Sequence, residues 1–409
     1  MSRSFAISNQ PANAKTKQTM RVVMLSASFP PEIGGIQAHL AHLAPALAAQ
    51  GHQVKIVTLR REKGQPIRDE YEGVEVIRVP QLKLPKLQTA QYLALATAVL
   101  IAQRLRGQAD VVHYHTYWPD AFTAFLVNKF VPVVYTAHES RFLIMAEQAR
   151  FQKRLQLALR PFQTVIAPST ELMLVARKFG VDPAKSTFIP NAVDSQKFSP
   201  AVARGGMRSR YGIPADHDVI LCPRRLVPKN GVEFLIESLP LIRQSCDQIS
   251  VVVAGDGPER QKLEQRVREL RLQNSVIFTG SIANDDLPAF YADADVVVIP
   301  SLMEATSIAG LEAMASACAV VATGVGGLPE IIDDGRTGLL VPPRDPNALA
   351  AAIIRVLENP QLRKQLGEAA RARVEREFTW AHVAGETTRA YEQAIALWHG
   401  RAITGLAHA

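Results

Sequence analysis

Short runs rich in Val and Ile alternate with helix-length segments along most of the chain, and this rhythm constrains the fold more than any other feature. In the first half the runs are RVVMLSA (21–27), QVKIVTL (53–59), VEVIRV (74–79), DVVHYH (110–115), VPVVYTA (131–137), TVIAP (164–168) and STFIP (186–190). Near-continuous apolar strands suit parallel sheets buried on both faces. The segments between them, such as Ile36 to Gln50 and Leu87 to Arg106, are long enough to be crossover helices. From Asp194 to Asp218 the rhythm breaks, with Pro200, Gly205, Gly206, Gly212 and Pro214 among polar residues. It restarts with VILCP (219–223), ISVVVAG (249–255), SVIFTG (275–280), DVVVIP (295–300) and AVVAT (319–323). A chain of 409 residues also exceeds the size at which a single core usually stops growing. The expectation is α/β, with two Rossmann-like domains facing a cleft, residues 1–192 and 193–379, and ligands at the carboxyl ends of the strands.

Charge is uneven between the halves. Residues 1–200 carry 24 Lys and Arg against 13 Asp and Glu, and the remainder carries 22 against 25. A cationic body implies an anionic partner: nucleic acid, acidic lipid or a phosphorylated small molecule. The basic residues form no known nucleic-acid module and aromatics are few, so nucleic acid is disfavoured. Three widely spaced cysteines, Cys222, Cys246 and Cys318, suggest neither a disulfide framework nor a zinc site, and fit a reducing compartment. The polar first 20 residues read as a lead-in, not a signal peptide. The longest strongly apolar run, Tyr92 to Ala102, is about half the roughly 20 residues of a spanning helix. A cytoplasmic protein, at most peripheral on the inner face of the membrane, is expected.

The loops after the strands carry the chemistry. Gly34 and Gly35 follow the first strand and enter a helix, where backbone N–H groups meet phosphate. GxGxxG is absent, which demotes a nicotinamide dehydrogenase. CPRRLVPKNG gathers Arg224, Arg225 and Lys229 at one strand end, a set suited to a diphosphate or to a solvated turn. AGDGPE (254–259) is another Gly-rich turn, with room for a flat ring. In PSLMEATSIAGLEAMASACAVVATGVGGLPEII, Glu304 lies just past a strand, and Glu312 comes eight residues later inside a helix that Thr306 or Ser307 would cap. Carboxylates accept hydrogen bonds from vicinal hydroxyls, and the N–H groups of Ser307 and Ile308 offer an anion site beside them. Together these read a nucleotide sugar. His113 and His115 alternate on one side of a strand, but no third ligand stands at suitable spacing, so no metal is expected.

These motifs, in this order, resemble the GT-B retaining glycosyltransferases, carbohydrate-active family four. The resemblance spans nearly the whole chain: the Gly-Gly loop, GHQV, the His after TA at 138, PNAVD (190–194), RRLVPKNG, GDGPE, GGLPE and GRTGLLVPPRDPNALAAAI. It implies a nucleoside-diphosphate sugar donor, with Gly35 near the diphosphate and Arg225 and Lys229 binding it. It further implies Glu304 on donor-sugar hydroxyls, Glu312 on the ribose, the backbone at Ile282 on the base and His138 near the reacting carbon. It needs no metal and no cofactor. It also implies that the C-terminal helix, 380–409, crosses back to the first domain, with a hinge near residues 192 and 379. Departures are Ala305, Ala317 and Ala319, where the family commonly has Gly or Pro, and Lys229-Asn230-Gly231 in place of Glu-Lys-Gly.

Retention requires stabilising the departing nucleoside diphosphate more than it requires a strong base. The resemblance implies same-face attack by the acceptor hydroxyl with the leaving phosphate accepting its proton; Glu139, beside His138, is the nearest first-domain candidate for a covalent nucleophile and is not evident as one. His115, Tyr117 and Trp118 are candidates for acceptor contact. The basic amphipathic segment 141–162, with KLPK (83–86), points to a lipid-linked or anionic acceptor and to an anionic membrane surface. The competing readings are a nucleotide-sugar epimerase or hydrolase of the same fold and a non-catalytic nucleotide-sugar-binding module.

Overall fold

A computed structural model describes residues 19–406 apart from 33, 63, 81–86, 117–119, 139–144 and 147, with side chains as far as residue 400. In it the apolar runs form two sheets. The first contains β1 (Arg21–Leu25), β2 (Gln53–Arg60), β3 (Arg68–Tyr71), β4 (Val74–Pro80), β5 (Val111–Tyr114), β6 (Val133–Thr136), β7 (Thr164–Ala167) and β8 (Ser186–Phe188). Their spatial order is β3-β4-β2-β1-β5-β6-β7-β8, parallel except for β3. The second contains β9 (Asp218–Cys222), β10 (Ile249–Ala254), β11 (Val276–Gly280), β12 (Val296–Ile299), β13 (Val320–Thr323) and β14 (Leu339–Val341), in the order β11-β10-β9-β12-β13-β14. All of its pairings are parallel.

Burial on both faces of both sheets explains the unbroken apolar runs. In β1, Val23 and Leu25 enter one core while Val22 and Met24 enter another. In β9, Ile220 and Cys222 face one side and Val219 and Leu221 the other. Each large side chain removed from water in this way stabilises the fold by about 1.5–3 kcal/mol. β3 escaped the apolar pattern. It is a mostly exposed edge strand, RDEY, turned back on β4 by Glu72 and Gly73, both with positive φ.

The chain crosses between sheets where Val193 bridges Thr379 and the Val193 N–H donates to the Phe378 carbonyl at 2.9 Å. The final helix, Trp380–Leu406, then returns to the first sheet, burying Val383, Ala384, Ala390, Tyr391 and Ala394 against Val22 and Met24. No helix among the described residues is long and apolar enough to cross a membrane. The run Tyr92 to Ala102 sits in the helix Gln88–Leu105, which buries Tyr92, Ala96 and Leu100 on the first domain.

Each sheet reverses direction of growth once. In the first, β1 lies between β2 and β5; in the second, β9 lies between β10 and β12. Such switch points open a crevice at the strand ends. The loops after β1 and β5 carry Gly34, Gly35 and His115, and those after β9 and β12 carry Arg224, Arg225 and Glu304.

Candidate functional site

A cavity of about 790 Å³ lies between the two domains. Gly34, Gly35, His39, His42, His138 and Asn191 line it from the first domain, and Glu304, Thr306, Ile308 and Glu312 from the second. A second depression, of about 640 Å³, adjoins it through Glu304 and is lined by Arg224, Arg225, Lys229 and Asn230. The expected donor residues are thus gathered except Ile282 and Ser307. Ile282 packs half-buried against the second core, while Asn284 and Leu287 of the same connection line the cavity.

The second-domain wall is held by short-range chemistry. The Arg224 guanidinium donates through Nη2 to Glu304, to Ser301 Oγ at 2.8 Å and to Asn230 Oδ1 at 2.8 Å. The Arg224 and Glu304 side chains are 10% and 13% exposed, so the pair is largely withdrawn from water. The sequence presents Arg224 only as one of three cations at a strand end. Its partnership with Glu304 comes from β9 and β12 being neighbours, a pairing that spacing along the chain does not reveal. Arg225 and Lys229 are exposed and have no ion-pair partner among the described residues, so their charges remain available to an anion.

Glycines clamp the loops of this wall. Gly326 has φ +53°, and a Cβ on it would overlap the Glu304 carbonyl; the next N–H, on Gly327, donates to that carbonyl at 3.0 Å. A Cβ on Gly255 or Gly257 would strike the Arg224 or Leu226 carbonyl. The space expected for a flat ring at AGDGPE is therefore filled by the backbone of the Arg224–Leu226 loop.

The helix Ile308–Ala315 begins at Ser307, whose Oγ accepts from the Gly310 N–H at 3.1 Å. Ser307 itself is buried, whereas Ile308 faces the cavity and is 41% exposed. The first N–H groups of a helix lack intrahelical partners, which suits this end to an anion. About one turn on, Glu312 Oε2 accepts from Tyr291 Oη at 2.7 Å, and burial pushes the carboxyl up to about 7.

The first-domain wall is built from contacts distant in sequence. Gly34 caps the helix Gly35–Ala49. A Cβ on Gly35 would meet no protein atom within 4 Å, so packing does not require glycine there; the open space belongs to the cavity. His138, half-buried, contacts two other histidines. His115 Nδ1 lies 3.0 Å from His138 Nε2, and the His39 and His138 ring centres are 4.4 Å apart. His39 Nδ1 lies 3.1 Å from Asn191 Oδ1. Burial holds His39 at about 4 and His113, His115 and His138 well below the ordinary imidazole value, so all four are neutral at pH 7.

Two expectations change here. His115 is 1% exposed and does not line the cavity, so burial removes it from acceptor contact. His113, which does share a side with His115, is tied to Tyr391 Oη at 2.8 Å and Thr136 Oγ1 at 2.7 Å and serves the core. A third nitrogen beside His115 and His138 does exist: His39, brought by the first helix, makes a group whose ligand atoms lie within 4.8 Å of one another. Tyr117, Trp118, Glu139 and residues 83–86 lie outside the described residues, as does part of 141–162. Sequence reasoning also missed Trp380, which lines the cavity and stacks on His42 with ring centres 5.2 Å apart. Only the aromatic of FTW at the start of the last helix hinted at it.

Known proteins match over the same extent. The family described as Glycosyltransferase Family 4 matches residues 33–197, and Glycosyl transferases group 1 matches 205–373. A glycogen synthase of Mycobacterium tuberculosis is 32% identical over 91% of this chain and 94% of its own. A D-inositol 3-phosphate glycosyltransferase of Kineococcus radiotolerans is 31% identical over 93% and 97%. Among solved structures, sucrose-phosphate synthase from Thermosynechococcus elongatus is 27% identical with a TM-score of 0.73, covering 92% of this chain and 99% of that one. HepE from Anabaena, solved with UDP, shares the fold at 22% identity and a TM-score of 0.72, over 90% and 99%. With matches spanning both halves and two such sheets enclosing the cleft, the chain belongs to the group 1 glycosyltransferases and has the GT-B fold.

Proposed function

We propose that this glycosyltransferase moves a sugar from a nucleoside diphosphate to an acceptor hydroxyl with retention of configuration and without a metal for the diphosphate. The observation that carries the reading is the placement of Glu304, which lines both the large cavity and the depression holding Arg225 and Lys229. A donor spanning the two sets its sugar against Glu304 and His138 and its diphosphate against the two cations. Gly35 leaves room for close backbone approach. HepE was solved with UDP-glucose, which supports a nucleotide-sugar donor for this fold.

Bond breaking leaves negative charge on the departing diphosphate, and cations with helix N–H groups stabilise it as it forms. Neutral His138 accepts or donates one hydrogen bond to the sugar. The acceptor hydroxyl attacks from the face the diphosphate leaves and passes its proton to a diphosphate oxygen. Closure about the 193–379 crossover brings the walls together and excludes water.

The basic first domain favours a phosphate-bearing or lipid-linked acceptor, and the name of the D-inositol 3-phosphate relative is in keeping with the first. The helix Ala149–Leu159 turns Leu155, Ala158 and Leu159 to the core and leaves Arg150, Lys153 and Arg154 exposed. The adjoining helix Ala121–Val127 exposes Phe122, Phe125 and Leu126, supporting contact with an anionic membrane surface.

A panel of sugar-labelled UDP, GDP and ADP donors, offered against inositol phosphates, glycans and lipid extract, tests this reading with product NMR. Product with the donor's anomeric configuration is expected. An inverted product overturns retention, a trapped glycosyl-enzyme overturns same-face attack, and acceptor-independent conversion to an epimer favours the epimerase.

A further inference from the structure

Three imidazoles meet where no sequence motif joins them. His39 opens the second turn of the helix Gly35–Ala49, His115 is the first residue past β5 and His138 the second past β6. β5 and β6 are parallel neighbours, which brings the last two side by side. Ring centres are 4.4 Å apart for His39–His138, 5.3 Å for His115–His138 and 5.7 Å for His39–His115. Three imidazoles on one tetrahedral zinc, each with Zn–N about 2.0–2.1 Å, place their rings at roughly such separations.

Hydrogen bonding points the same way. His115 Nε2 is buried and has no hydrogen-bond partner among the described residues, and Nδ1 is the nitrogen this ring turns to the cluster. Its Nδ1 stands 3.0 Å from His138 Nε2, where two neutral rings share one proton or, with an ion present, turn two lone pairs to it. Asn191 Oδ1 can only accept, so His39 Nδ1 carries its proton and Nε2 keeps a lone pair. An outer partner of this kind orients a metal-ligating histidine.

The geometry points to a transition-metal site formed by His39, His115 and His138 on the first-domain wall of the cleft. Its ligand set is all imidazole, which selects Zn²⁺ or a similar borderline divalent ion over Mg²⁺ or Ca²⁺. His39 and His138 line the cavity and His115 lies behind them, leaving a coordination position open to the cleft. On the donor reading above, such an ion occupies His138, so ion and donor exclude each other.

The test uses the full chain without an affinity tag, stripped with EDTA and freed of it, and needs no sugar substrate. Its outcome therefore stands whether or not the donor reading does. Calorimetric titration with Zn²⁺ is expected to give one ion per chain. X-ray absorption at the zinc edge on the wild type should then show three imidazoles at about 2.0 Å. His39→Leu should weaken binding at least ~100-fold, and Asn191→Ala on the order of 10-fold. Absence of stoichiometric binding overturns the site, as do fewer than three imidazoles on the wild-type ion or an unchanged affinity in both variants. Because the absorption measurement is made on wild type, the site is tested even if His39→Leu fails to fold.

Discussion

The two walls of the cleft hold their polar groups by opposite means. On the second-domain wall a charged pair, Arg224 and Glu304, is withdrawn from water and tied to Ser301 and Asn230, within loops that glycines press together. On the first-domain wall His39 and His138 stand uncharged, backed by His115 and His113 in the core, and hydrogen bonds and ring packing position them. A charged wall suits a diphosphate and a developing oxocarbenium ion, whereas a neutral wall can approach the sugar without repelling it. Charge should therefore govern loss of function on one side, and pH should govern stability on the other.

The largest effect is expected at Glu304. Glu304→Gln should lower transfer by ~10³-fold or more, on the order of an oxyanion-type contact, and should also lower the melting temperature, because the buried Arg224 guanidinium loses its counter-charge. Turnover close to wild type would remove Glu304 from the site. Arg224 and Arg225 separate positioning from direct contact. Arg224→Ala strands a buried carboxylate and should cost about 3–5 kcal/mol of stability by denaturant titration. Arg225→Ala should leave stability within about 0.5 kcal/mol and lower kcat at least as much as it raises KM. Equal stability losses in the two would erase the distinction.

Glycines provide a second contrast. Gly326→Ala meets both a positive φ and the Glu304 backbone, and should cost on the order of 2–3 kcal/mol. Gly35→Ala meets open space, so it should stabilise slightly, by ~0.5 kcal/mol, while weakening donor binding; an unchanged donor KM would show that nothing approaches Gly35.

Stability should also depend on pH, through groups of opposite sign. Between pH 6.5 and about 4 the unfolded chain binds a proton at position 39 that the folded chain refuses, so stability falls as pH falls. Glu312 has the opposite sign: between 4.5 and about 7 the folded chain keeps a proton the unfolded chain loses, so its contribution declines as pH rises. His39→Gln should flatten the acid-side loss by about 2 kcal/mol between pH 6.5 and 5, and Glu312→Gln should steepen it. Parallel curves for all three proteins would contradict the buried-neutral description.

The contrast also explains what was legible in the sequence. Alternating Val and Ile runs are a direct consequence of two-sided burial, so all parallel strands but the short β14 stood out, while the polar edge strand β3 did not. The second wall was readable because Glu304, Ser307 and Glu312 are packed into one strand-to-helix connection whose spacing encodes geometry. Arg224 was harder: its role depends on β9 lying beside β12. The first wall was nearly hidden, because His39, His115, His138, Asn191 and Trp380 come from five separate segments joined only by folding. Sequence reasoning accordingly placed His115 toward an acceptor and found no third imidazole.

The central claim is that both walls grip one nucleoside-diphosphate sugar. A crystal structure with the nucleoside diphosphate of the donor found in the screen tests it most directly. The account predicts diphosphate oxygens within hydrogen-bonding distance of Arg225 and the Gly35 backbone, with the sugar pocket bounded by Glu304 and His138. A nucleotide bound away from Glu304, or contacting one domain alone in the closed form, would contradict it.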